Sequence, residues 1–453
     1  MICALRAEYS DPGVDSVALL SFANRMTVII RSLRFGLVVL GIAGLLSACG
    51  PATEKMEVIR VWSHQGQEAE NQAMRDIAAA FNADHADHAV RVHIEFFPDH
   101  QYTEKISIAA AAGDLPDALG IDGPTLAQFV AAGLLAPLDD YFTAEELADF
   151  LPTIIEQGTV NGRLYALGAF DSAMVLYYDR ERLAAAGVSP PPRGTGWSWD
   201  EFVAACRELK AAGDNPVALH MDITGDEWYT YAFSPLLWSA GGALIDPATQ
   251  RVQGVLNHPT NVAVLRGWQQ LFAEGLAART PINPDPFGAG ETAMDWTGHW
   301  MARSHVAAKG DRLGVMPLPR TGAEPSAACG SWCWAMAAHT GQPDLTALWV
   351  RWVTDAEQGV QPMVAAGGAV PARRSALPFF PEYEEDPWRL FMELLEEYGR
   401  PRPQTPFYPV LTRQFAAAVR DIAHGADVAD RLDRAAEAVQ RIIERQTGAG
   451  GAP

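Results

Sequence analysis

This chain is sparing with cysteine, with basic residues and with long apolar runs. Only 5 cysteines occur in 453 residues, so a hydrophobic core rather than a disulfide framework must hold the fold. Lys and Arg number 34 against 55 Asp and Glu, a formal net charge of -21. That balance argues against nucleic acid as a partner, because a phosphate backbone is bound by clustered cations. It argues equally against a broad electrostatic grip on anionic lipid. Beyond residue 50 no apolar stretch is long enough to cross a bilayer. Gly-x-Ser-x-Gly, His-Glu-x-x-His and phosphate-loop patterns are also missing. No catalytic residue, cofactor or metal is therefore expected.

What is present begins with a leader. Arg31 and Arg34 precede an apolar run from Phe35 to Leu46, and the small residues Ser47 and Ala48 follow. A basic segment, a short apolar segment and small residues together mark an export signal over residues 1–48. Glu8, Asp11 and Asp15 are out of place in such a signal, so Met26 is the expected initiator. Residues 49–56 suit a flexible linker.

Downstream, apolar periodicity alternates between strand and helix. Strands are expected at Glu57–Trp62, Val90–Phe97 and Asp117–Ile121, with helices at Gln67–Asn82 and Tyr102–Ala112. This order predicts an α/β fold with a parallel sheet, whose ligands sit beyond the carboxyl ends of the strands. Trp62, Phe97 and Asp122 fall at such ends. The pattern restarts at Arg163–Gly168 and Ala173–Tyr178. Ser198 and Glu201 have capping-box spacing for a helix from Phe202. Val428, Leu432, Ala435, Val439 and Ile442 form one apolar stripe on a last helix.

Cys206 lies on an apolar helix face and is expected to be buried. Cys329 and Cys333 are about 13 Å apart if extended, too far for a disulfide unless Gly330-Ser331 turns the chain. A metal pair at these two residues is the sharper alternative. His85, His88, His93 and His100 form a loose cluster that reads as a solvated loop rather than a zinc site.

Leu45-Leu-Ser-Ala-Cys-Gly50 resembles the lipobox of bacterial lipoproteins, which implies acylation at Cys49. The rest of the chain resembles bacterial extracellular solute-binding proteins of the maltose-binding type. Ala110–Asp117, Gly133–Asp139, Asn161–Leu167, Leu176–Asp179, Trp199–Phe202, Ala293–Trp300 and Gly368–Arg373 carry that resemblance in order. It implies a two-lobe periplasmic-binding-protein fold with discontinuous lobes joined by a hinge. Lobe one is expected over 57–162 and 312–366, lobe two over 163–311 and 367–446, and a tail over 447–453. The implied activity is capture of a carbohydrate in the inter-lobe cleft by a monomer. The implied partners are the transmembrane subunits of an ATP-driven importer, with the membrane reached through the Cys49 lipid.

A sugar offers flat C–H faces and a rim of hydroxyls, so its site needs aromatic rings beside carboxylates, amides or Arg. Cleft candidates are Trp62, His64 and Gln65 in the first turn, then Asp122, Asp171 and Ser172. Trp228, Tyr229, Tyr231, Trp296, Trp300, Ser331, Trp332, Arg402 and Tyr408 complete the set. For each aromatic ring the competing role is core packing. Strand alternation should send Trp332 and Trp334 to one face. The rival functions are a binder of glycerol phosphate, a polyol or a polyamine, and a surface-anchored glycoside hydrolase with paired carboxylates.

Overall fold

A computed structural model describes residues 56–221, 225–280 and 283–448. The export signal, Met26 and Cys49 lie outside these residues, as do residues 449–453. In chain order the strands are β1 (Glu57–Gln65), β2 (Val90–Pro98), β3 (Ala118–Asp122), β4 (Leu135–Ala136), β5 (Ala166–Gly168) and β6 (Met174–Asp179). They continue with β7 (Val217–Ala218), β8 (Met294–Gly298), β9 (Leu313–Met316), β10 (Ala327–Cys329), β11 (Trp332–Ala337) and β12 (Gly399–Pro401).

The first sheet runs β2-β1-β3-β11-β4, with β5 also on β11. β1, β2 and β3 are parallel, joined by α1 (Glu68–Asp84) and α2 (Asp99–Ala112). β11 closes on β3 in antiparallel register, setting Trp332 beside Asp122. The second sheet runs β7-β8-β6-β9. Two lobes follow, and the strand pairing corrects two expected boundaries. β5 joins the first sheet although Arg163 was expected to open lobe two. β9 pairs with β6 in the second sheet although Arg312 was expected to reopen lobe one. Residues from Val370 to Leu395 pack in the core that holds Ile59, Val61 and Trp349 together with Val175 and Tyr177 of the second sheet. Strand exchange between sheets is a non-local choice that periodicity does not encode.

Between α3 (Pro152–Gly158) and the last helices, α4 (Trp199–Ala211) starts on the expected capping box: Ser198 Oγ accepts from Glu201 N, and Glu201 accepts from Ser198 N at 2.8 Å. The aromatic region beyond it resolves into α5 (Asp226–Ser239) and α6 (Pro259–Ala273), separated by an irregular stretch. α5 packs on α7 (Tyr408–Ala423), and α7 on α8 (Val428–Gly448). On α8 the buried stripe ends at Ile443, with Ile442 only half-buried, because the 428, 432, 435, 439 spacing next returns at 443.

Cys206, Cys329 and Cys333 are free and buried. Gly330, at φ 140, turns the chain between β10 and β11. That turn sends Cys329 and Cys333 into separate core clusters.

Trp296 corrects another expectation. β8 turns it into the second lobe's core, fully buried, with Nε1 donating to Ala232 O at 3.0 Å and Phe202 and Phe233 about its ring. Trp296→Ala should therefore cost roughly 3–5 kcal/mol of stability, read as a lowered denaturant midpoint.

Candidate functional site

One buried guanidinium organises the cleft. Arg402 follows β12 and bonds to both lobes. Its Nη1 and Nη2 donate to Asp122 Oδ2 at 3.1 Å and Oδ1 at 2.7 Å, at the carboxyl end of β3. Nη1 also donates to Glu227 Oε1 at 2.6 Å, in the first turn of α5. The Tyr408 hydroxyl, at the start of α7, donates to the same Glu227 oxygen. Burial opposes the Arg402 charge, but the Asp122 and Glu227 carboxylates outweigh it and hold the guanidinium protonated. Burial raises Glu227 above the usual carboxylate range, with Arg402 pulling the other way.

Aromatic rings surround this network. The Arg402 guanidinium lies 4.7 Å from the centroid of Tyr231. Tyr231 neighbours the half-buried Trp300 at 5.9 Å, and Trp300 meets Trp228 edge-on at 6.3 Å. Across the cleft His64 and Trp332 stack at 3.6 Å with planes 7° apart. Burial lowers the His64 pKa to about 3, so its imidazole is neutral. Gln67 Nε2, at the entrance to α1, donates to Trp300 O at 3.3 Å and ties the lobes again. Trp228, Tyr231 and Glu227 share a face because they stand at i, i+3 and i−1 on α5.

Several expected residues serve elsewhere. Tyr229 points away from Trp228 and Tyr231 on α5 and is fully buried under Arg420. Asp171 is fully buried, and its oxygens accept from Thr153 Oγ1 at 2.5 Å, Gln157 Nε2 at 3.3 Å, Ser172 N at 2.8 Å and Gly330 N at 3.0 Å. It is a hinge acceptor with no lone pair left over. Ser331 N donates to Gln157 Oε1 at 2.9 Å in the same knot. The Ser172 hydroxyl donates to Gly330 O at 2.5 Å and contacts the Tyr231 hydroxyl, so it supports the cleft from behind. Trp62 is buried edge-on to Phe97, with Lys105 Nζ 4.6 Å from its ring. Gln65 is exposed at the end of β1. Trp332 and Trp334 both border the small cavity beside His64, but Trp332 packs with Tyr102 and Trp334 with Trp349 in a separate cluster, so alternation does not give them one environment. Glu227 and Gln67 escaped the sequence reading. The signal for Glu227 was its place one residue before Trp228 and four before Tyr231.

Two other features lie apart from the aromatic rings. A groove of about 830 Å³ lies between the lobes along Arg400–Gln404, lined by Ile155, Glu156, Trp238 and Leu244 among others. Its Arg374 donates to the carbonyls of Ala148 and Phe150, and Glu156, Arg400, Arg402 and Gln404 also border it. Asp285, Asp295 and His305 bring donor atoms within 4.8 Å of one another. However, Asp295 accepts from His220 at 2.5 Å and His305 at 2.9 Å, which aims both imidazoles at the carboxylate rather than at a shared point.

A sequence model of the family described as bacterial extracellular solute-binding protein matches residues 65–360. The chain belongs to that family. A putative binding protein of Brucella abortus is 26% identical over 223 residues, covering 48% of this chain and 51% of that one. The chain thus spans about half the length of the first curated relatives it matches. A maltotriose-binding protein of Pyrococcus abyssi is 25% identical over 334 residues, covering 72% of this chain and 69% of that one. Among solved structures the GacH receptor of Streptomyces glaucescens, determined free and with acarbose, superposes with a TM-score of 0.73. It is 22% identical and covers 86% of this chain and 98% of that one. That likeness bears on the fold: a two-lobe α/β binding protein.

The Asp295 cluster yields a stability prediction. Burial works against a charged His220, but the Asp295 hydrogen bond and charge raise its pKa above the ordinary imidazole range. A raised folded-state pKa contributes stability that is complete below the unfolded value and lost as pH rises through the folded one. His220 has φ 52, which Asn tolerates. The melting temperature of His220→Asn should therefore trail the parent most at pH 5–6 and least at pH 8–9.

Proposed function

We propose that this chain captures a carbohydrate between its lobes and delivers it to the membrane subunits of an ATP-driven importer. The observation that carries the reading is the run of rings from Trp228 through Trp300 to Tyr231, which ends on the Arg402 guanidinium paired to Asp122 and Glu227, with Trp332 of the His64–Trp332 stack beside Asp122 in the sheet. Flat rings take the C–H faces of a sugar, and Glu227 with its neighbours takes the hydroxyls. Residues from both lobes touch the same network, so a ligand held there favours closure by binding both at once.

The family description as extracellular supports export, and the Cys49 sequence supports tethering, which raises the effective concentration near an importer. On this reading lobe one comprises the first sheet with its helices, and lobe two the second sheet with α4 to α8. The Arg402 segment and the β5–β6 and β9–β10 connections join them.

A thermal-shift screen over mono- and oligosaccharides, polyols, phosphoesters and polyamines should give its largest rise with a sugar, by mass action on the native state. No rise with any sugar sinks the assignment, and turnover of an oligosaccharide by the pure protein favours the hydrolase instead. Trp300→Ala should weaken the sugar found about tenfold by titration calorimetry, since one half-buried stacking face is lost. Tyr229→Phe, in the core, should leave that affinity within about twofold.

A further inference from the structure

We infer that the groove along Arg400–Gln404 is a second binding site, apart from the rings around Arg402, and that it takes a small organic anion with an apolar body. The inference goes beyond the carbohydrate reading and does not rest on it.

At about 830 Å³ the groove has the volume of a small-molecule site. Two stretches far apart in the chain build its walls. Pro152, Ile155 and Glu156 of α3, with Thr159 just past its end, line one side. Their spacing of i, i+3, i+4 and i+7 puts them on one helical face. Thr153 and Gln157 of α3 instead bond to Asp171, which anchors the helix from behind. Trp238 near the end of α5 and Leu244 beyond it bring apolar surface from the core cluster that holds Trp296. Pro401 and Pro403 also border the groove and have no N–H to offer. An occupant that needs donors must therefore find them on side chains.

The charge of the groove runs against that of the chain. The sequence carries 55 acidic residues against 34 basic ones, yet Glu156 is the one acid on a lining that holds Arg374, Arg400 and Arg402. Arg402 is already answered by Asp122 and Glu227 and adds no free charge. Arg374 gives Nη1 to the carbonyls of Ala148 and Phe150, neutral acceptors that leave its charge unanswered. Arg400 is exposed, with its guanidinium 5.5 Å from the centroid of Trp238. Among the described residues neither Arg374 nor Arg400 forms an ion pair. A guanidinium held against an indole still has N–H groups for a carboxylate, sulfonate or phosphate. Trp238, Leu244 and Ile155 supply contact for the rest of the molecule. A bare inorganic anion would leave that apolar lining unused, and a neutral molecule would leave both cations unpaired.

The test is titration calorimetry of the full chain with naphthoate, with the matching naphthylmethanol and with inorganic phosphate. Naphthoate should saturate one site with a Kd below about 1 mM, with the alcohol and phosphate each at least about fivefold weaker. Arg400→Gln should weaken naphthoate at least about fivefold and leave the alcohol within about twofold. Arg445→Gln removes the same charge from an exposed position on α8 and should leave naphthoate within about twofold. Trp300→Ala should also leave naphthoate within about twofold, which separates the groove from the rings around Arg402. Four results overturn the inference: no saturable naphthoate binding, an alcohol or phosphate as tight as naphthoate, an Arg400→Gln protein that binds like the parent, or loss of naphthoate in Trp300→Ala. None of these bears on sugar binding, and failure of every sugar in the thermal-shift screen leaves this inference standing.

Discussion

The cleft depends on one desolvated arginine. Arg402 is 6% exposed and holds Asp122 from the first lobe and Glu227 from the second. A charge so deeply buried is tolerable only while its partners stay in place, and losing one partner of such a pair costs on the order of 3–5 kcal/mol. The same guanidinium underlies the face of Tyr231 and so fixes the ring that Trp300 and Trp228 adjoin. Ionic pairing, ring placement and contact between the lobes are thus one interaction seen from three sides.

Open space is distributed unevenly about this network. Beside His64 and Trp332 only about 20 Å³ is open, room for one water at most. Along Arg400–Gln404 the lobes leave about 830 Å³. The Asp171 knot lies where the chain crosses between the two sheets. Its carboxylate gathers α3, the start of the second lobe and the β10–β11 turn at Gly330, so the strands cross between lobes at a point with every acceptor satisfied.

Much of the fold was legible locally. Alternating and 3.6-residue apolar patterns located β1, β2, α1 and α8 within a few residues, and the Ser198–Glu201 capping box formed as its spacing required. The site was legible in kind but not residue by residue. Trp296 and Trp300 stand four apart in sequence. One is inside β8 and faces the core, while the other lies past its end and reaches the cleft. Tyr229 and Tyr231 were read alike, yet two residues on a helix are about 200° apart, which sets one under Arg420 and the other against the Arg402 guanidinium. Glu227 drew no notice because an acid in a first helical turn is ordinary there.

The amino-acid sequence by itself determined the class of fold and its α/β alternation, because these follow from periodicity and residue type over short distances. Tertiary structure alone decided that β5 and β9 change sheets, that Asp171 is consumed at the hinge, and that Arg402 is spent on Asp122 and Glu227. The physical reason is separation along the chain. Glu227 and Arg402 are 175 residues apart, and Asp122 and Arg402 are 280 apart. No local preference connects them, and only the packing of two lobes around one linker brings three charges into a space where water no longer screens them.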